Sequence, residues 1–63
     1  MNKEEKILKA LELMIDHFNE MASIYLDQEN DEMYDLYSER RFTLINFRKI
    51  ATNDVLLDDY IGE

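Results

Sequence analysis

Residues 7–25 read ILKALELMIDHFNEMASIY, and the spacing of their apolar members decides what fold the chain can make. Ile7, Leu11, Met14, Phe18, Met21 and Tyr25 recur in steps of four and three. That is the seam rhythm of a helix packed along another helix. Leu8, Ile15 and Ala22 lie one position further on and widen the stripe. Upstream, Asn2 and Glu5 have the spacing of a capping box. The pattern predicts a helix over about residues 3–26, roughly 36 Å long at 1.5 Å per residue.

Downstream, the polar run 27–30 is short enough to connect two helices. Asn30 or Asp31 can cap a second helix. Asp31 and Glu32 then stand in a first turn, where the helix dipole favours acids. Met33, Leu36 or Tyr37, Leu44, Phe47 and Ala51 keep a helical rhythm that is interrupted at Arg40 and Arg41. Residues 42–47, FTLINF, are rich in strand formers. A lone strand has no partner here, so a second helix over about 31–51 is expected. Thr52 or Asn53 can start a third over about 54–61, with Val55, Leu56, Tyr60 and Ile61 as its apolar side and Gly62 as its stop.

The 63 residues include no proline, no cysteine and one glycine. Turn-rich β architecture, disulfides and thiolate metal sites are thereby excluded. The expected fold is all-α, one helical domain over residues 1–63, built as a helical hairpin plus a short C-terminal helix. No apolar run approaches membrane-spanning length and no signal peptide is read, so the cytoplasm is the expected compartment. A chain this short buries little apolar surface alone. One hairpin covers half of its stripe, and Leu13 and Ile24 lie off the seam. A symmetric homodimer forming a helical bundle is the economical solution. The alternative is that the C-terminal segment folds back and seals a monomer.

Charge is blocked by sign. Residues 12–39 hold nine acids and no Lys or Arg, residues 40–49 hold four bases and no acid, and the net charge is −8. Such a chain repels nucleic acid and anionic membrane and attracts basic surfaces. Glu12, Asp16 and Glu20 are spaced four apart, as are Asp31, Asp35 and Glu39. Residues four apart stand above one another on a helix. Like charges there cost a few tenths of a kcal/mol per pair. With the tip acids Asp27, Glu29 and Glu32, these ladders are expected to form an anionic stripe of phosphate-like density, since a DNA strand carries one charge per about 3.4 Å. Tyr34 and Tyr37 lie among the acids and suit a contact surface. The plain alternative is a solvated face that keeps the protein soluble. Arg40, Arg41, Arg48 and Lys49 are expected to pair with acids across the hairpin or the dimer, or to form a small anion site.

No catalytic, cofactor-binding or metal-binding residue is expected. Asp27, Glu29, Asp31 and Asp35 fit positions 1, 3, 5 and 9 of a calcium loop, but Glu32 stands where glycine is needed and Ser38 where a bidentate Glu belongs. His17 is the single histidine, beside Phe18 at the edge of the stripe, and suits a boundary position better than a ligand. The carboxylates lack an apolar pocket to raise a pKa, and Ser23 and Ser38 lack a base.

Ser38 followed by Leu44, Ile45 and Asn46 resembles the small sporulation aspartyl-phosphate phosphatases, helical hairpins with an SQELD motif followed by leucines and an Asn. Phe42 stands where that motif has its aspartate, and Glu39-Arg40-Arg41 replace QEL. The residue on which the activity depends is absent, so this resemblance implies a hairpin and no phosphatase. As a whole, in size, acidity and lack of cysteine, the chain resembles the small acidic DNA-mimic inhibitors of bacteriophages, some of which cover the DNA-binding surface of the bacterial histone-like protein HU. That resemblance implies a non-enzymatic inhibitor, homodimeric, acting on an HU-like nucleoid protein in a bacterial host cell. The residues expected to face the partner are Glu12, Asp16, Glu20, Asp27, Glu29, Asp31, Glu32, Asp35 and Glu39, with Tyr34 and Tyr37. A structural or regulatory hairpin binding through the apolar residues Leu13, Ile24 and Tyr34 is the competing expectation.

Overall fold

The computed structural model describes all 63 residues as three helices and no strand: α1 Lys3–Asp27, α2 Asp31–Ala51 and α3 Asp54–Ile61. Each start is fixed by an asparagine. Asn2 Oδ1 accepts from the Glu5 N–H at 2.8 Å, Asn30 Oδ1 from Met33 N–H at 3.2 Å, and Asn53 Oδ1 from Val55 and Leu56 N–H at 3.1 Å. These bonds satisfy N–H groups that have no partner inside the helix. Residues 42–47 are helical despite their strand-forming side chains, because α1 offers a packing stripe and no strand edge.

The α1–α2 turn closes as a Schellman motif. Asn30 N–H donates to Tyr25 O at 2.9 Å and Glu29 N–H to Leu26 O at 3.0 Å. Glu29 sits at φ 56°, in the left-handed region that glycine usually fills. Gly62 takes the corresponding role after α3, at φ 82°.

α1 and α2 pack antiparallel along the Leu8–Ile15–Ala22 side of the expected stripe. The buried residues of α1 are Leu11, Ile15 and Ala22, flanked by half-buried Leu8, Phe18 and Tyr25. Ile7 and Met14, expected on the seam, are 53% and 49% exposed. The small side chain of Ala22 lets the helices approach closely, and that approach sets the rotation of α1. α2 answers with half-buried Tyr34, Tyr37, Ser38, Arg41, Leu44, Ile45 and Arg48. Two arginines therefore stand on its inner side.

α3 packs only on α2, on the side away from α1. Leu57, Tyr60 and Ile61 face Thr43, Phe47, Ile50 and Ala51 across a groove of about 410 Å³. Val55, expected on this side, does not line the groove, and of the lining residues of α3 Tyr60 and Ile61 are themselves largely exposed. The C-terminal segment thus does not seal the hairpin. The three helices lie in one layer whose Cα extents are 43 × 28 × 10 Å. Only 3 of 63 residues are buried, so this layer has two open faces and almost no interior.

Candidate functional site

Successive residues on a helix turn by about 100°. From the buried stripe of α1, Phe18, Tyr25, Ile7, Met14 and Met21 fall to one side, and Asn19, Glu12, Asp16, Glu20 and Asp27 to the other. On α2, Tyr37, Leu44, Arg40, Phe47 and Leu36 fall to one side of Arg41, and Ser38, Asp31, Asp35 and Glu39 to the other. Because the helices run antiparallel, equivalent sides coincide. Contacts agree for most of these residues: Phe18 lines a depression with Leu36, Arg40 and Leu44, bordered by Thr43 and the edge acid Glu39, while Arg41 reaches Asn19 toward the acid side. The layer therefore has an apolar face and an acidic face.

All nine carboxylates of the block are exposed. The hydrogen-bonded pair Asn19 and Arg41 sets the register, so Asp35 is about level with Tyr25, Glu39 with Met21, Asp16 with Leu44 and Glu12 with Arg48. The two ladders thus do not run side by side. The α2 ladder occupies the half near the turn, and the α1 ladder continues it toward the open end. From Asp31 to Glu12 the acids span about 25 Å at 1.5 Å per residue. The seven charges assigned to this face give about one per 3.6 Å over that length, close to the spacing along one DNA strand. An i, i+4 row also drifts by about 40° per step, so Glu20 and Glu39 reach the two edges of the face.

Arg40 and Arg41 do not neutralise this surface. The Arg41 guanidinium donates to Asn19 Oδ1 at 2.6 Å, and Arg40 lies 5.5 Å over the Tyr37 ring. Pairing of these two arginines with carboxylates, expected from the sequence, gives way to an amide and an aromatic ring. The block's neighbours explain this: Arg41 falls level with Asn19 on α1, and no acid of α1 stands beside it.

The two tyrosines are placed differently from the acids. Tyr37 stacks on Tyr25, with centroids 5.6 Å apart and planes 12° from parallel, and packs against Phe18 at 5.9 Å. Tyr34 is half-buried near the turn. Both rings mainly hold the hairpin together and present only part of their surface. Phe42 is the aromatic on the acidic face: it is 64% exposed and borders a shallow depression with Asp35, Ser38, Glu39 and Arg41. Its position three after Glu39 and seven after Asp35 signals that shared face, although the local sequence marks it only as part of the strand-forming run FTLINF.

Asp27, Glu29 and Asp31 fall at a helix end, a left-handed residue and a helix start, and no three acidic or histidine side chains converge on a common metal position. His17 is exposed, with its ring 5.7 Å from that of Phe18. No helix is long and apolar enough to cross a membrane. Comparison with protein-family models, curated proteins and solved structures finds no match for this chain.

Proposed function

We propose that the chain is a non-enzymatic binding protein that stands in for DNA and occupies the basic groove of a DNA-binding protein, with an HU-like nucleoid protein of a bacterial host as the target class. The supporting observation is the acidic face: seven exposed carboxylates at about DNA-strand spacing, with Glu29 and Glu32 at the tip and no Lys or Arg among the nine in sequence. A cationic groove built to hold phosphates meets the same sign of charge at the same spacing. Binding excludes DNA by occupancy. Phe42, with the open part of Tyr34 near the turn, adds apolar contact among the charges, whereas Tyr37 lies on the opposite side. In this reading the protein acts in the cytoplasm, as a symmetric dimer and without a cofactor.

The test is competition. Purified HU-like protein bound to labelled duplex DNA is titrated with the chain at low and at high salt. Release of DNA at low salt, weakening steeply as salt rises, is expected. No release at any salt, together with no DNA-binding protein recovered from a bacterial lysate, overturns the reading.

A second reading rests on Leu13 and Ile24, which are 57% and 43% exposed on the outer edge of α1. They suit a structural or regulatory hairpin that docks through apolar contacts. Complexes of that kind resist salt, which separates the two readings.

A further inference from the structure

The face opposite the acids is apolar and open. Ile7, Met14, Leu36 and Phe47 on it are 53%, 49%, 37% and 55% exposed. The half-buried Phe18, Met21 and Leu44 complete a continuous surface across α1 and α2. We infer that a second copy of this chain covers this face, in a two-layer dimer with both acidic faces turned outward. The inference stands apart from DNA mimicry and needs no DNA-binding partner.

Area supports a second copy. A compact protein of 7.6 kDa exposes about 4,300 Å², whereas this chain exposes 5223 Å². The excess, about 900 Å², matches the roughly 800 Å² that each partner gives up in a standard interface. Shape agrees. The radius of gyration is 14.2 Å, against about 11 Å for a compact chain of this length. Stacking two layers about 10 Å apart narrows that discrepancy to about 1 Å.

Charge selects the face. On the apolar side Glu39 and Arg40 border the Phe18 depression with opposite signs, and the acids of α1 on it are confined to its first turn, so two copies meet there with little net charge. Pairing through the acidic faces would oppose two chains of net charge −8. Back to back, the acids stand about 20 Å apart through two helix layers, beyond the screening length of about 8 Å at physiological salt. A dimer of this kind is bivalent. Its two outward stripes point in opposite directions, so one dimer engages two basic partners.

Sedimentation equilibrium of the native chain tests the inference. The expected mass is twice 7.6 kDa at micromolar concentration. Met14→Asp is expected to move the dimer midpoint at least a hundredfold higher in concentration, and Leu13→Asp, on the outer edge, to leave it in place. A second readout needs no substitution. A soluble spin label is expected to broaden the methyl signals of Leu13 and Ile24 and to spare those of Ile7, Met14 and Leu36. A monomeric native chain overturns the inference. So does dissociation by Leu13→Asp with Met14→Asp still dimeric, or equal broadening of both sets.

Discussion

Arg41 crosses the hairpin to Asn19, donating through one terminal nitrogen at 2.6 Å while its Nε is shielded from solvent and has no partner. A half-buried cation is thus held by a neutral amide. Removing one member of such a pair leaves the other desolvated and unsatisfied. Asn19→Ala should therefore lower stability by about 1–2 kcal/mol. Arg41→Met should do the opposite of what loss of a bond suggests and leave stability equal or higher, because an apolar chain of similar length removes the desolvation cost. Denaturant unfolding of both variants at one fixed protein concentration checks the pair. Equal losses would show that the hydrogen bond outweighs the cost of holding the charge.

Glu29 adopts a conformation that costs an L-residue about 1 kcal/mol and costs glycine nothing. The Schellman bonds on either side hold it there. Glu29→Gly should raise stability by about 0.5–1 kcal/mol, read as a higher melting temperature. It also removes one tip charge from a crowded turn, so the gain should be somewhat smaller at high salt. Glu29→Gln separates the two contributions, since it removes charge and keeps the backbone cost.

The acidic face opposes folding and, in our proposal, serves binding. Each i, i+4 carboxylate pair costs a few tenths of a kcal/mol at low salt. Replacing Asp31, Asp35 and Glu39 by Asn, Asn and Gln should raise the melting temperature at low ionic strength and flatten its rise with added salt. The same variant should release DNA from a basic protein at least tenfold less effectively. A variant that becomes more stable and still competes as well as the native chain would separate the charge from the function.

Ala22 is 4% exposed, the most buried residue of α1, between the two long helices. Ala22→Leu should cost about 1–3 kcal/mol by forcing them apart. The same change at Ala10, which is exposed, should cost little. Thermal unfolding of the two variants compares a close-packed site with an open one.

The helices were legible in the sequence because their signals were local. Asn2, Asn30, Asn53 and Gly62 mark the boundaries, and the expected α1 stops one residue short of the observed Asp27. The phase of α1 was not legible. Two seams run one residue apart, one through Ile7, Met14 and Met21, the other through Leu8, Ile15 and Ala22. The first has the larger side chains, but the second packs, because its small residue permits approach. The position of α3 was equally hidden, since Val55 and Leu57 are alike in hydrophobicity and only tertiary contact chooses between them. The acid ladders were visible as spacing. That they share one face, and continue each other end to end, depends on the hairpin's direction and register, which the Arg41–Asn19 bond reports and the local sequence does not.

A body one helix deep keeps most of its backbone near water, and in the two-layer dimer we infer its deep protection comes from the neighbouring copy. Exchange of its backbone hydrogens, and its lifetime against proteases, will then depend on the number of copies in the cell. Dilution alone would hand it over to degradation, so the protein's persistence becomes a threshold function of how heavily it is expressed.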